Sequence, residues 1–268
     1  LQTRAKAALF PAAACKDNRL PDWLVPVVIS PFVGSFLGVL IRRLPAGRDV
    51  VFARSHCEVC GKALAPDELV PLLSWILQRG RCRACGGRIA AFHPAVELAA
   101  LLVAVWAASV DEGARLWADC ALGWALLALA WIDFESMILP DVLTLPLVLA
   151  GLGFAFVLDS ESIVDRAAGA AVGWLLFTGL ARLYRALRGR DGLGDGDAKL
   201  LAASGAWVGW AGLGLVLLGA ALAGLALALA QRVVGRRVDA ATAIPFGPPL
   251  ALATWLVWLY PAPQVIGF

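Results

Sequence analysis

Long apolar runs separated by short polar islands organise this chain of 268 residues. Crossing a bilayer takes about 20 apolar residues, with a range of about 17–25. Runs near 23–41, 94–110, 114–132, 140–158 and 166–183 meet that length. Beyond Lys199 the apolar positions continue to Ala230, too far for one helix. Trp210-Ala211-Gly212 offers a turn, which predicts a short span near 199–210 and a longer one near 213–230. A last helix is predicted at about 247–260. The pattern predicts an all-α polytopic membrane protein with about eight transmembrane helices. Seven spans is the alternative, because eight place Arg4, Lys6, Lys16 and Arg19 of the N-terminal segment on the outer face. That segment has no signal-peptide pattern: Ala7 to Ala14 is short, Pro11 interrupts it, and no small-residue cleavage site follows.

Charged residues make up 16% of the chain, against about 25% in soluble domains, and they sit in islands whose sign alternates. Arg42 to His93 carries nine Lys/Arg against four Asp/Glu, which assigns it to the cytoplasm by the positive-inside bias. The acidic loop Asp159–Asp165 fits the opposite face, and Arg182, Arg185, Arg188 and Arg190 return the chain to the inside. Gln231 to Asp239 is basic again. The expected division is a tail at 1–22, a first span at 23–41, a cytoplasmic domain at 42–93, a transmembrane core at 94–260 and a tail at 261–268. This topology gathers the 42–93 block, the stretch Asp133–Asp141 and the run Gly192–Asp197 on one side. Small residues such as Ala202, Gly205, Gly212 and Gly219 fit close helix packing in lipid. Trp23, Trp106, Trp131, Trp210 and Trp258 fall near span ends and read as interface anchors.

Within the polar block, Cys57-Glu58-Val59-Cys60 and Cys82-Arg83-Ala84-Cys85 form two C-x2-C knuckles separated by 21 residues. Paired knuckles at such spacing supply four thiolates to a tetrahedral zinc ion, and four thiolates leave no open position for catalysis. The expected role of Cys57, Cys60, Cys82 and Cys85 is therefore structural zinc binding. Disulfides compete as an account, but a cytoplasmic location disfavours them. Cys15 and Cys120 have no nearby partner. His56 and His93 read as loop or interface residues, and with only two histidines no Ser–His hydrolase arrangement is available.

Carboxylates at membrane level are costly and mark function by default. Five compete here: Asp133, Glu135, Asp141, Asp195 and Asp197. Two brought together in a restricted site are the minimal equipment of an aspartic protease. Asp195 and Asp197 each end a Gly-x-Gly-Asp, so spacing alone does not choose between them.

Several stretches, in order, cover nearly the whole chain: Gly34-Ser35-Phe36-Leu37 with Ile41-Arg42-Arg43-Leu44-Pro45, Arg54-Ser55-His56-Cys57, Gly80-Arg81-Cys82, Leu139-Pro140-Asp141-Val142-Leu143-Thr144-Leu145-Pro146, Gly194-Asp195-Gly196-Asp197-Ala198-Lys199-Leu200 and Pro245-Phe246-Gly247-Pro248. In these the chain resembles the prepilin leader peptidases of type IV pilus and type II secretion systems, within the Gly-x-Gly-Asp intramembrane aspartic proteases. It departs from the family's common pattern at Gly38, Leu69-Val70-Pro71 and Phe92-His93-Pro94. The resemblance implies that Asp197, followed by x-Lys-Leu, and Asp133 are the catalytic pair. It leaves Asp141 as a structural residue at the N-cap of the next span, and Asp195 and Glu135 as solvated rim charges. It further implies cleavage after a Gly, usually before Phe, in type IV prepilins or pseudopilins at the bacterial inner membrane, with Gly194 and Gly196 admitting the substrate backbone. Methylation of the new N-terminus by S-adenosylmethionine is implied too, with Gly80 and Arg81 as candidates for that step; the donor's binding residues are unknown. The expected partners are these substrates and the bilayer, with no nucleic acid. The readings from other classes are a transporter or channel using the same acids, and a non-catalytic assembly factor.

Overall fold

The computed structural model describes residues 20–50, 54–189, 192, 194–233 and 245–261. Most of the N-terminal tail with Cys15, the basic residues from 234 to 239 and nearly all of the C-terminal tail lie outside the described residues. Among the described residues the regular elements are all helices, and the 42–93 block is mostly turns and irregular backbone with two isolated bridges. Helix α1 spans Leu24–Arg43, α2 Leu73–Leu77, α3 Phe92–Ala108, α4 Gly113–Ser136, α5 Asp141–Leu158, α6 Ile163–Arg188, α7 Asp195–Val233 and α8 Gly247–Leu259. Five of these (α1, α4, α5, α6 with the short 3-10 turn before it, and α7) are long and apolar enough to cross a membrane; α3 and α8 are apolar but shorter.

The 39 residues of α7 are two helices joined at Gly209, whose φ of 76° and ψ of 172° only glycine adopts readily. The reversal falls one residue before the stretch where the sequence predicts it. The arm 195–208 runs antiparallel to α6 and the arm 210–233 antiparallel to α8. Gly173 of α6 meets Leu201, Gly169 meets Gly205 and Trp210, and further along Gly212 faces Val257 while Gly224 faces Pro249. With α7 split in this way the described residues form eight apolar helical segments of the bundle, as the hydropathy pattern predicts. Where Gly169 crosses Gly205 the helices touch backbone to backbone, and a Cβ on either would overlap the other's main chain. In lipid such close packing replaces the hydrophobic effect as the source of association.

These directions place the C-terminal ends of α1, α4 and α6 and the N-terminal ends of α3, α5, α7 and α8 at one end of the bundle. Arg42 fastens part of that end: its guanidinium lies 4.1 Å over the Phe92 ring and 3.4 Å from Glu135. Phe92 in turn meets Trp131 edge-on. At the opposite end the structure departs from the sequence reading. Trp23 and Trp210 are exposed as interface anchors should be, but Trp258 is only 4% exposed. Its indole N–H donates to Asp119 Oδ1 at 2.7 Å, and the Arg115 and Arg166 guanidiniums lie 4.7 and 5.3 Å from its ring.

Candidate functional site

Asp133 stands one turn before the end of α4, where the chain passes through Met137 in a left-handed conformation towards α5. Its side chain is buried, with 6% exposure. The backbone N–H of Gly247, the first residue of α8, donates to Asp133 Oδ2 at 2.8 Å. A helix N-terminus presents unpaired N–H groups and a partial positive charge, so it is a natural seat for a carboxylate. Gly247 also makes room for it: a Cβ there would stand 2.7 Å from Oδ2 and 2.9 Å from Asp133 Cβ. No signal within α4 points to this contact, whose partners are 114 positions apart.

Asp197 lies in the first turn of α7, half-buried, with its N–H donating to the Gly194 carbonyl at 3.1 Å. The charges of Asp133 and Asp197 are close enough to interact. Asp195, two residues earlier, is exposed. Of the two aspartates that spacing leaves equivalent, the fold turns Asp197 inward towards Asp133. Gly196 packs against Leu139, since a Cβ there would lie 2.8 Å from that side chain, so its missing side chain serves the junction of α7 with the α4–α5 link. Gly194 is exposed, with Asp197 Oδ2 as the near neighbour of any Cβ it might carry.

Asp141 is not the N-cap of α5. Pro140 holds that position, and Asp141, the first helical residue, makes an ion pair with Lys199 at 2.5 Å. The starts of α5 and α7 are thereby tied one turn from the aspartates. Glu135 is exposed, as expected, and accepts from Trp131 Nε1 at 3.0 Å besides pairing with Arg42.

In the 42–93 block the two C-x2-C knuckles fold alike. Gly61 N–H donates to Cys57 O and Gly86 N–H to Cys82 O, both at 2.9 Å, while Cys57 N–H reaches Lys62 O and Cys82 N–H reaches Gly87 O. Gly61 and Gly86 carry the positive φ these turns demand, at 71° and 69°. The antiparallel bridges His56–Ala63 and Arg81–Arg88 close the two loops. The sulfurs of Cys57, Cys60, Cys82 and Cys85 lie within 4.8 Å of one another, with 3.9 Å between Cys57 and Cys85. Zn–S bonds of about 2.3 Å in a tetrahedron place sulfurs about 3.8 Å apart, so this donor set fits zinc. Backbone N–H groups of Cys60 and Val59 hold the Cys57 thiol down at about 7. Cys85 receives the Gly87 N–H, yet burial and the neighbouring sulfurs push it up to about 11. Four such thiols resist losing all their protons without a cation among them. Cys120 is buried in α4, away from this cluster.

Glu97 of α3 escaped the sequence reading. It is buried, with 6% exposure, and its Oε2 accepts the Leu72 N–H at 2.7 Å. Leu72 holds a positive φ of 59°, so this contact ties an unusual turn of the polar block to a membrane helix. An acid inside the apolar run 94–110 was the available signal. Asp119, inside the run 114–132, gave the same signal and proves fully buried. Gly80, at a φ of 66°, packs under the Trp75 ring, and Arg81 pairs in the second knuckle's bridge.

Residues 28–110 match the family described as Bacterial Peptidase A24 N-terminal domain, and residues 120–229 match the Type IV leader peptidase family. The chain is 38% identical over 258 residues to a prepilin leader peptidase/N-methyltransferase of Aeromonas hydrophila, an alignment covering 87% of this chain and 89% of the relative. It is 40% identical over 252 residues to a protein of that name from Burkholderia pseudomallei (strain 1026b), covering 84% and 81%. A third, from Pseudomonas aeruginosa, is 34% identical over 265 residues, covering 88% and 90%. No solved structure matches the chain.

Proposed function

The chain belongs to the type IV leader peptidase family of multi-pass membrane proteins, and we propose that it is an aspartic endopeptidase that removes the basic leader of type IV prepilins or pseudopilins and then supports N-methylation of the new N-terminus. The observation that carries the reading is the convergence of Asp133 and Asp197, 64 residues apart in sequence, at one end of the bundle and within reach of each other's charge. Adjacent carboxylates do not both ionise cheaply, so the pair shares a proton and titrates as a unit. The ionised member takes a proton from the attacking water; the protonated member polarises the scissile carbonyl and then protonates the leaving amine. The Gly247 N–H, aimed at Asp133 Oδ2, fixes that carboxyl and leaves its second oxygen for chemistry.

The basic block between α1 and α3 supports a cytoplasmic position for this end of the bundle at the bacterial inner membrane, where an uncleaved leader would be available. The division into a first span at 23–41, a zinc domain at 42–93 and a protease core at 94–260 belongs to this reading. Cys57, Cys60, Cys82 and Cys85 would hold one zinc ion, which supplies the domain with folding free energy and no chemistry. The methyl donor is S-adenosylmethionine, which when bound supplies an electrophilic methyl group.

The test is cleavage of purified prepilin by single variants. Asp133→Asn and Asp197→Asn are expected to abolish leader removal with the protein still folded and inserted, while Asp195→Asn remains active. Full cleavage by either of the first two would sink the pair, and loss in Asp195→Asn with Asp197→Asn active would move the site two residues upstream.

A further inference from the structure

Three large apolar side chains of α2 are left uncovered. Leu73, Ile76 and Leu77 are 53%, 62% and 67% exposed, and their spacing of three and four positions puts them on one face of the helix. The other face looks inward. Ser74 and Trp75 are half-buried, the Trp75 indole N–H donates to Ile89 O at 3.5 Å, and Gly80 packs under its ring. A polar block surrounded by water gains nothing from such an apolar face, so its cover has to be sought in what lies beside it.

The depth of α2 identifies that cover. Gly34 of α1 meets the backbone of α3, since a Cβ on Gly34 would stand 2.6 Å from Glu97 Cα. Gly34 lies seven residues before Ile41, where the apolar part of α1 ends, a distance of about 10 Å at about 1.5 Å per residue. Glu97 Oε2 accepts the Leu72 N–H at 2.7 Å, and side chains in a helix lean towards its N-terminal end. Leu72, the residue that opens α2, therefore sits between the levels of Gly34 and Ile41, alongside the apolar part of α1. Phe36 of α1 and Leu98 of α3 flank this level and are exposed, as lipid-facing residues of membrane helices are. What lies beside α2 at that height is lipid.

From this placement we infer that α2 is a foot of the four-cysteine block, set into the phospholipid leaflet at this end of the bundle with Leu73, Ile76 and Leu77 among the upper acyl chains. Interfacial helices bury an apolar face about 5–10 Å into the boundary between headgroups and acyl chains, which agrees with the depth that the Glu97 contact imposes. Arg79 and Arg81 follow α2 and are exposed, and the excess of Lys/Arg over Asp/Glu in 42–93 suits lipid phosphates. Leu72 keeps a φ of 59°, sparsely populated outside glycine, and is held from two sides, by Glu97 and by the lipid-set helix that follows it. The block that carries the four cysteines is thereby fixed in height against the bilayer, whatever chemistry the aspartates perform.

The test puts the photoreactive amino acid p-benzoylphenylalanine in place of Ile76 in the full-length protein, held in nanodiscs of phosphatidylethanolamine and phosphatidylglycerol. Irradiation is followed by mass spectrometry of the intact protein. The same replacement at Leu102, exposed on α3, reports lipid, and at Val59, exposed on the first knuckle, reports the water side. A phospholipid adduct is expected at Ile76 as at Leu102, and none at Val59. A second series carries the probe in place of Leu73 together with Ile76→Glu and Leu77→Glu. It is expected to lose the adduct with thermal unfolding unchanged; should that variant not fold, the Ile76 series decides alone. Lipid captured at Leu102 but not at Ile76 overturns the inference, as does equal capture at Val59 or an adduct that persists in the folded double-glutamate protein. An adduct at Ile76 to a second copy of the chain, or to added prepilin in place of lipid, overturns it as well.

Discussion

Replacing Gly247 by alanine isolates the geometry of Asp133 from its chemistry, because both carboxylates remain. The added Cβ would lie 2.9 Å from Asp133 Cβ and Cγ and 2.7 Å from Oδ2. Carbon atoms in contact normally sit about 3.5–4.0 Å apart, so Asp133 or the start of α8 must yield by roughly 0.6 Å or more. The 2.8 Å hydrogen bond from Gly247 N–H to Oδ2 cannot survive that shift at its present length. A hydrogen bond to a charged group contributes about 1.5–3 kcal/mol, and its loss from the reactive geometry corresponds to about a 10- to 150-fold fall in rate. Misplacement of a catalytic group by about 1 Å costs about 100-fold, which agrees. Helix propensity works the other way, since alanine favours a helix over glycine by about 1 kcal/mol, so a fall in rate would not reflect a weaker α8.

The assay is single-turnover cleavage of purified prepilin by wild type, Gly247→Ala and Gly224→Ala. Gly224 is the control: its Cβ would meet Pro249 and Phe246 of the same region at 3.9 and 4.0 Å, an ordinary contact. The expected result is a rate reduced about 100-fold in Gly247→Ala and nearly unchanged in Gly224→Ala. A Gly247→Ala enzyme that is folded and cleaves at the wild-type rate would refute the role given to the α8 N-terminus.

The pair Asp141–Lys199 ties α5 to α7 but is partly exposed, so its removal by Lys199→Met should cost no more than about 1 kcal/mol, or roughly fivefold in cleavage, and the swap Asp141→Lys/Lys199→Asp should recover part of it. Elemental analysis should find about one zinc per wild-type chain and none in Cys57→Ser; no metal in freshly purified wild type would remove the zinc assignment. Because ligation requires thiolates, acidification opposes binding, and a chelator should extract the zinc faster at about pH 6 than at about pH 8; the reverse order would argue against thiolate ligation.

What the sequence reveals here is mainly what repeats locally. Apolar runs and the C-x2-C knuckles are read within windows of tens of residues, and the structure has helices at those runs and brings the four cysteines together. Pairings across the bundle leave no local trace. Trp258 looks like an interface anchor because it sits near a helix end, yet its partner Asp119 is 139 positions away and its indole is buried. The reversal between the arms of α7 is misplaced by one residue for a related reason. Gly209, Gly212 and Gly214 all stand in one apolar stretch, and only packing against α6 and α8 selects which of them takes the positive φ. Gly247 lies in a motif that the family resemblance flags without a role, and contact with Asp133 supplies one.

The position of the reversal at Gly209 bears on catalysis as well as on packing. The arm 195–208 has about 14 residues, which at about 1.5 Å per residue reaches roughly 21 Å, short of the hydrocarbon thickness of about 30 Å. A full-length first arm would carry the start of α7 away from the end of α4 or force the reversal out of the bundle. The short arm instead holds its far end against Asp165 and Gly169 of α6 and its near end, with Asp197, beside Leu139 and Asp141. It is also the most buried stretch of the molecule, with nearly every residue from Ala198 to Trp207 inside. Ser204 meets Thr254 of α8 at 2.6 Å, and Trp207 Nε1 donates to Leu147 O of α5 at 2.9 Å. An aspartate at the tip of a helix so tightly surrounded has little freedom to drift from its partner.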